Sequence, residues 1–162
     1  MAAPAAETVT PPFTAFNFSV ELASPDGGSD PMCNAAFAEC DGLEQTMDVK
    51  TIREGGNNAR QIRLAGTVSY SQLTLKRGMT DSFDLWNWFA SVTRNPALRV
   101  DGEVVLRAPD RSERLRFKLR RCLPLKLKAP PLSAKDGMVA VEELQLAYES
   151  LTLVPAGGGA GG

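Results

Sequence analysis

The chain has no histidine. That absence removes the Ser-His-Asp and Cys-His nucleophile systems, the usual zinc-hydrolase sites and histidine pH switching. Cysteine is scarce. Cys33, Cys40 and Cys122 are odd in number and form no CxxC pair, which points to reduced thiols rather than a disulfide framework. Cys33 and Cys40 have no third ligand nearby, so no metal site is assigned. The apolar runs are short and broken by charges, so no transmembrane helix is expected. Met1 to Pro12 has neither a basic region nor a long apolar stretch, unlike a standard secretory signal. Gly27-Gly28 and Gly55-Gly56 do not lead into a helix with a following Lys-Ser/Thr, so they are not phosphate loops. The carboxylates are scattered, and no pair is bracketed by apolar residues as acid–base work requires. Glu142 and Glu143, in a strand, should point to opposite faces. Arg120 could lower the Cys122 thiol pKa, but no histidine base exists to make it a catalytic nucleophile. No catalytic, cofactor-binding or metal-ligating residue is therefore assigned, no cofactor is called for, and the chain reads as a non-enzyme.

What is present fits one domain of 162 residues, with 43% hydrophobic and 23% charged residues, enough to fold a core. The net charge of −1 hides an asymmetry. Residues 1–50 carry eight acidic groups and one basic, a balance of −7; residues 107–128 carry nine basic and two acidic, a balance of +7. Opposed poles can attract copies of the same chain, and the basic block could also meet nucleic acid or lipid headgroups. A solvated strand face is the plainer reading.

Period-2 alternation dominates. Phe16, Phe18, Val20 and Leu22 alternate with polar residues, the pattern of a half-buried strand. Ser24 to Asn34 reads as a long loop. Phe37 to Cys40 begins an extended piece turned at Asp41-Gly42. Leu43 to Arg53, with Gln45, Met47 and Val49 on one face, is weakly apolar. Glu54 to Asn58 is a turn, and Arg60 to Ala65 returns as a strand, giving a long hairpin that projects from a body. Leu98 to Arg107 pairs with Arg114 to Lys128 across a turn at Pro109-Asp110. In that second strand Leu115, Phe117, Leu119, Leu123, Leu125 and Leu127 face one way. Arg114, Arg116, Lys118, Arg120, Cys122, Lys126 and Lys128 face the other. Pro124 predicts a bend or edge there. A last strand, Met138 to Val154, shifts its apolar phase twice, which predicts two bulges. One helix is expected over Asp81 to Thr93, capped by Thr80 or Asp81, with Phe83, Trp86 and Phe89 packed on the core. The architecture is mainly β: a closed barrel or sandwich of about seven strands plugged by one helix. Residues 1–12 form a flexible arm, 13–154 the domain, and 155–162 a Gly-rich tail.

Several stretches resemble the phage tail tube protein family. They are Phe16-Asn-Phe-Ser-Val-Glu, Phe37-Ala-Glu-Cys-Asp-Gly-Leu-Glu and Arg53-Glu-Gly-Gly-Asn-Asn. Then come Leu73-Thr-Leu-Lys-Arg-Gly-Met-Thr, Leu85-Trp-Asn-Trp and the strand from Val139 to Leu151. Their order and spacing hold from Phe13 to Leu153. Within the family the likeness is greatest to inner tube proteins of extracellular contractile injection systems; the tube protein of type VI secretion is a more distant relative. The resemblance implies a structural subunit of six-membered rings stacked into a hollow tube inside a contractile sheath. Implied partners are other copies, sheath, baseplate and tube-terminating proteins, and cargo in the lumen. Synthesis in a bacterial cytoplasm and residence in a phage-tail-like particle are implied as well. The subunit itself is not expected to insert stably into a membrane.

On this reading the hairpin tip, Arg53, Glu54, Gly55, Gly56, Asn57 and Asn58, should touch a neighbouring subunit. The ladder Arg114, Arg116, Lys118 and Arg120 should meet acidic groups of an adjacent copy, drawn from Glu39, Asp41, Glu44 or Asp48, with lumen and sheath as the other destinations. Leu115, Phe117 and Leu119 should face the core. Two alternatives stand: a tube-initiating ring at the baseplate, and a monomeric β-barrel binding an anionic partner through Arg114 to Lys128.

Overall fold

A computed structural model describes residues 11–15, 17–24, 27–28, 31–56 and 60–157. They form β1 (Phe18–Leu22), β2 (Cys33–Ala35), β3 (Glu39–Asp41), β4 (Gln45–Arg53), β5 (Gln61–Tyr70) and β6 (Leu73–Gly78). The helix α1 (Asp84–Arg94) follows, then β7 (Val100–Arg107), β8 (Glu113–Lys128), β9 (Val141–Ala147) and β10 (Ser150–Pro155). The expected arm up to residue 10, Phe16, Asn57 with Asn58, and the tail beyond 157 lie outside the described residues.

All pairings are antiparallel. The main sheet runs β2-β1-β7-β8-β9-β6-β3, with β10 also on β8, while β4 and β5 pair only with each other. The expected closed barrel is thereby corrected. The sheet ends at β2 and β3, which do not pair with one another among the described residues. Cys33–Ala35, expected as loop, is strand because Leu22 pairs with Cys33 and Val20 with Ala35.

The sheet wraps a core because β8, sixteen residues long, serves two layers. Its residues 115–120 pair with β10 and 123–128 with β9, while β7 holds the other edge up to Cys122. Between the halves the β7–β8 register slips and Arg121 takes φ of 53°. This bulge adds one residue and reverses which side chains point inward. Leu119 is buried before it; Cys122 and Pro124 are buried after it. The single apolar face expected through Leu125 therefore fails, and Leu125 is 39% exposed. Cys122 moves from the cationic face into the core, where burial pushes its thiol up to about 12.

The last expected strand is two strands, broken at Tyr148-Glu149, which accounts for the second phase shift. The first shift is no bulge. Met138 and Val139 are 83% and 80% exposed and precede β9 altogether. The core collects the inward positions of β1, β6 and β9 (Val20, Leu22, Leu73, Leu75, Leu144, Leu146) with Leu119 of β8 and Leu85 and Trp88 of α1. Each such aliphatic side chain contributes about 1.5–3 kcal/mol on burial.

The candidate assembly surface

The hairpin β4–β5 is the most exposed element of the fold. All nine residues of β4 are exposed, and β5 is exposed along most of its ten. β4 starts at Gln45, two residues later than expected, while β5 outruns the sequence expectation and continues past Gly66 to Tyr70. Each face carries its own apolar patch. Met47 pairs with Val68 and Ile52 with Ile62. Met47 and Ile52 point to opposite faces of β4, because side chains alternate. The register slips where two residues of β5, Gly66 and Thr67, face Asp48; the extra residue lies on β5, so Val68 joins Met47 on one face while Leu64 and Ile62 join Ile52 on the other. Met47, Ile52, Leu64 and Val68 are 54%, 48%, 44% and 43% exposed. Lys50, opposite Leu64, lies on the Ile52 face, which also carries Thr46, Asp48, Thr67 and Ser69; Thr67 Oγ1 donates to Asp48 Oδ2 at 3.1 Å. The Met47 face adds Val49, Thr51, Ala65 and Arg63. The strand pattern placed Val49 beside Met47, and the structure keeps them on one face. At the tip, Arg53, Glu54, Gly55 and Gly56 are exposed.

The cationic ladder is occupied within its own chain. Arg116 pairs with Glu103 of β7 and, at 2.9 Å, with Glu113. Lys118 lies 3.9 Å from Glu103, and Arg120 binds Asp101 at 2.8 Å. The cross-strand register places Lys118 directly opposite Glu103. Within the chain the acids are Glu103 and Asp101 of β7, the neighbouring strand, and Glu113 of β8 itself; the expected contact with Glu39, Asp41, Glu44 or Asp48 lies between subunits. Arg114 is exposed near the β7–β8 turn and has no ion pair among the described residues. On the opposite face Leu119 is buried, and Leu115 and Phe117 are half-buried.

The helix begins at Asp84, with Phe83 as its cap residue and no side-chain cap. Thr80 Oγ1 instead accepts the Ser82 N–H at 3.3 Å, ahead of the helix. Leu85 and Trp88 are its buried residues. The expected core role of Phe83 is corrected: it is 54% exposed, since the chain enters α1 there from outside the sheet. Trp86 and Phe89 are half-buried.

What fixes that helix start is a buried ionic cluster that the sequence reading missed. Arg77 and Glu142 stand directly opposite each other on β6 and β9, 5% and 1% exposed. Arg77 Nε donates to Glu142 Oε1 at 2.5 Å, and the guanidinium also pairs with Asp84. Trp86 Nε1 donates to Glu142 Oε2 at 3.0 Å, Cys33 Sγ lies 3.4 Å from Arg77 Nη1, and the Phe37 ring centre is 5.5 Å from the guanidinium. Burial would raise the Asp84 carboxyl, but hydrogen bonds from Arg77 outweigh it and hold the carboxyl below its ordinary value. Burial, reinforced by the Asp84 charge, pushes the Cys33 thiol up to about 12. The signal was available: Arg77 continues the inward phase of Leu73 and Leu75, and Glu142 that of Leu144 and Leu146. Opposite charges on the core phase of two strands predict a buried pair.

A profile of the family described as T4-like virus tail tube protein gp19 matches residues 14–152. Among solved structures, a chain of the anti-feeding prophage baseplate is similar at 25% identity and a TM-score of 0.79, over 92% of this chain and 99% of that one. A chain of the PVC sheath–tube complex, an extracellular contractile injection system in its extended state, is similar at 20% identity and 0.75, over 90% and 93%. Hcp1 from the E. coli EAEC 042 pathovar shares the fold more loosely, at 14% identity and 0.54, over 88% and 94%. No curated protein matches. The buried Arg77–Glu142 cluster joins the same stretches, Leu73 to Thr80, Leu85 to Trp88 and Val139 to Leu151, that carried the resemblance in the sequence. The chain belongs to the tail tube protein family.

Proposed function

We propose that the chain is a structural subunit, not an enzyme, of the inner tube of a contractile injection system. It forms six-membered rings that stack head-to-tail around a lumen for cargo. The observation that carries this reading is the β4–β5 hairpin, a two-stranded ribbon with an unburied apolar patch on each face. Isolated two-stranded ribbons are marginal in water, and such patches are stabilised by burial against another surface. Neighbouring subunits supply that surface, reached by the two patches and by the tip residues Arg53, Glu54, Gly55 and Gly56. Head-to-tail contacts do not close on themselves, so they extend into a filament. The similar baseplate chain comes from a six-fold symmetrised structure, and the PVC chain from a sheath–tube complex. Those settings support sheath and baseplate proteins as partners and incorporation into a phage-tail-like particle; tube-terminating proteins as further partners and synthesis in a bacterial cytoplasm belong to the same proposal.

A second reading, a ring that initiates the tube at the baseplate, is favoured by the likeness to a baseplate chain. The anionic-partner reading has less support, since Arg116, Lys118 and Arg120 already face acidic groups of their own chain. Electron microscopy of the purified protein over a concentration series tests the proposal. Six-fold rings that lengthen into tubes support the main-tube reading, and rings that stay single support the initiator. A monomer at every concentration contradicts both.

A further inference from the structure

One side chain ties both ends of the exposed hairpin to the core. Tyr148 sits at the break between β9 and β10 and is 5% exposed. Its hydroxyl donates to the Gly42 carbonyl oxygen at 2.7 Å, with the Glu44 carbonyl oxygen at 3.2 Å, and accepts the Glu44 N–H at 3.2 Å. Glu44 immediately precedes β4. The Tyr148 ring also lies against Tyr70, the last residue of β5, with centroids 5.5 Å apart and planes inclined at 49°. The two strand ends are joined to each other by the Ser71 N–H, which donates to the Glu44 carbonyl at 3.2 Å.

The surroundings leave this junction little freedom. Gly42 takes φ of 108°, and a Cβ there would stand 2.0 Å from the Gln72 carbonyl oxygen, so the chain passes this point in one conformation. Behind Tyr148, the Glu149 N–H donates to the Arg120 carbonyl at 2.9 Å and the Glu149 carboxylate binds Arg121 at 2.8 Å. The β9–β10 break is thus pinned to the β8 bulge. Burial raises the Tyr148 phenol above its ordinary value, which keeps it an O–H donor.

We infer that Tyr148 is a positioning residue for assembly: its hydroxyl sets the direction in which the hairpin leaves the sheet, and so whether the exposed apolar patches can reach a neighbouring subunit. This rests on the tube-subunit reading. The ring belongs to the core, while the hydroxyl serves the hairpin, so the two roles separate in Tyr148→Phe. A patch on a ribbon anchored at one end is displaced further the farther it lies from the anchor. A small loss of angular restraint at Glu44 therefore moves Ile52 and the tip far more than the base.

The test compares wild type, Tyr148→Phe and Tyr70→Phe by hydrogen exchange on unassembled protein, thermal melting and polymer yield at matched concentration. The Tyr70 hydroxyl makes none of these bonds to the junction. Tyr148→Phe should speed exchange of the Glu44 amide by about tenfold, the scale of one lost hydrogen bond. It should also raise exchange along β4–β5, leave β6–β9 protected and lower polymer yield severalfold, while Tyr70→Phe assembles normally. Unchanged Glu44 exchange, or normal polymer yield with fast Glu44 exchange, overturns the inference. Loss of protection throughout the sheet also overturns it, since the hydroxyl would then serve the whole fold. A wild type that forms no rings overturns the assembly reading, and with it the purpose of the tie; Glu44 exchange, read on the monomer, distinguishes that failure from the others.

Discussion

Gly66 lies so close to Asp48 that a Cβ built on the glycine would stand 2.7 Å from the Asp48 carbonyl oxygen. That is the point at which the β4–β5 register slips. The extra residue lies on β5, where Gly66 and Thr67 together face Asp48, and the close approach needs a residue without a side chain at Gly66. The bulge in turn puts Val68 on the Met47 face and Leu64 on the Ile52 face. Gly66→Val should force the strands apart there or restore regular pairing, and restored pairing turns one end of β5 over. Because the hairpin lies outside the core, the melting temperature should change by no more than a few degrees, while sedimentation shows a loss of rings. A variant that assembles normally removes the bulge from the account.

The Arg77–Glu142 pair should behave as a buried ion pair rather than a surface one. Glu142→Ala strips Arg77 of one partner and leaves the Trp86 N–H without its acceptor. A loss of about 3–5 kcal/mol in urea unfolding is expected. The double variant Arg77→Met/Glu142→Leu should recover a large part of that loss, because it removes the unpaired charge. A cost below about 1 kcal/mol for the single change would mean the pair is no better than a surface contact.

Acid should act through Asp84. Its carboxyl is held below the ordinary value, so the folded state favours the ionised form. The corresponding stability is complete above the unfolded-state pKa, near 3.9, and is lost as pH falls through the lower folded value. Between neutral pH and about pH 5 this contact should not change stability. Below about pH 4 wild type should lose stability faster than Asp84→Asn, measured by thermal melting across the acid range. Parallel curves for the two proteins would contradict the assignment.

Charge reversal on β8 should register in the fold first. Arg116→Glu sets a carboxylate beside Glu103 and Glu113. Stability should fall by about 1 kcal/mol, and added salt should soften the loss. Assembly at concentrations where the variant is folded should persist. If Arg116→Glu/Lys118→Glu melts like wild type yet no longer polymerises, the ladder crosses a subunit boundary after all.

The strands were legible in the sequence because period-2 alternation follows from the pleat, and Phe18, Val20 and Leu22 or Leu144 and Leu146 keep it without interruption. What escaped were the places where one added residue reverses the phase. The bulge at Arg121 buries Cys122, and the bulge at Gly66 and Thr67 sets Val68 on the face opposite Leu64, and both depend on the register of a partner strand. A residue's own neighbours in sequence do not carry that information. The helix start failed for a similar reason: a distant arginine takes Asp84, and the local capping signals at Thr80 and Asp81 lose to it. The ladder's charges were legible, but their partners were not, since β7's acids are brought opposite only by pairing.

The most direct measurement places one lysine on each face of the hairpin and reads assembly by electron microscopy. Val68→Lys puts a charge in the apolar patch beside Met47 and Val49, whereas Ser69→Lys puts it at the polar end of the other face, opposite Thr46. Both sites are exposed, so both proteins should fold with melting temperatures close to wild type. The account predicts rings and tubes for wild type and Ser69→Lys, and folded monomers for Val68→Lys. Tubes formed by Val68→Lys as readily as by wild type would contradict it.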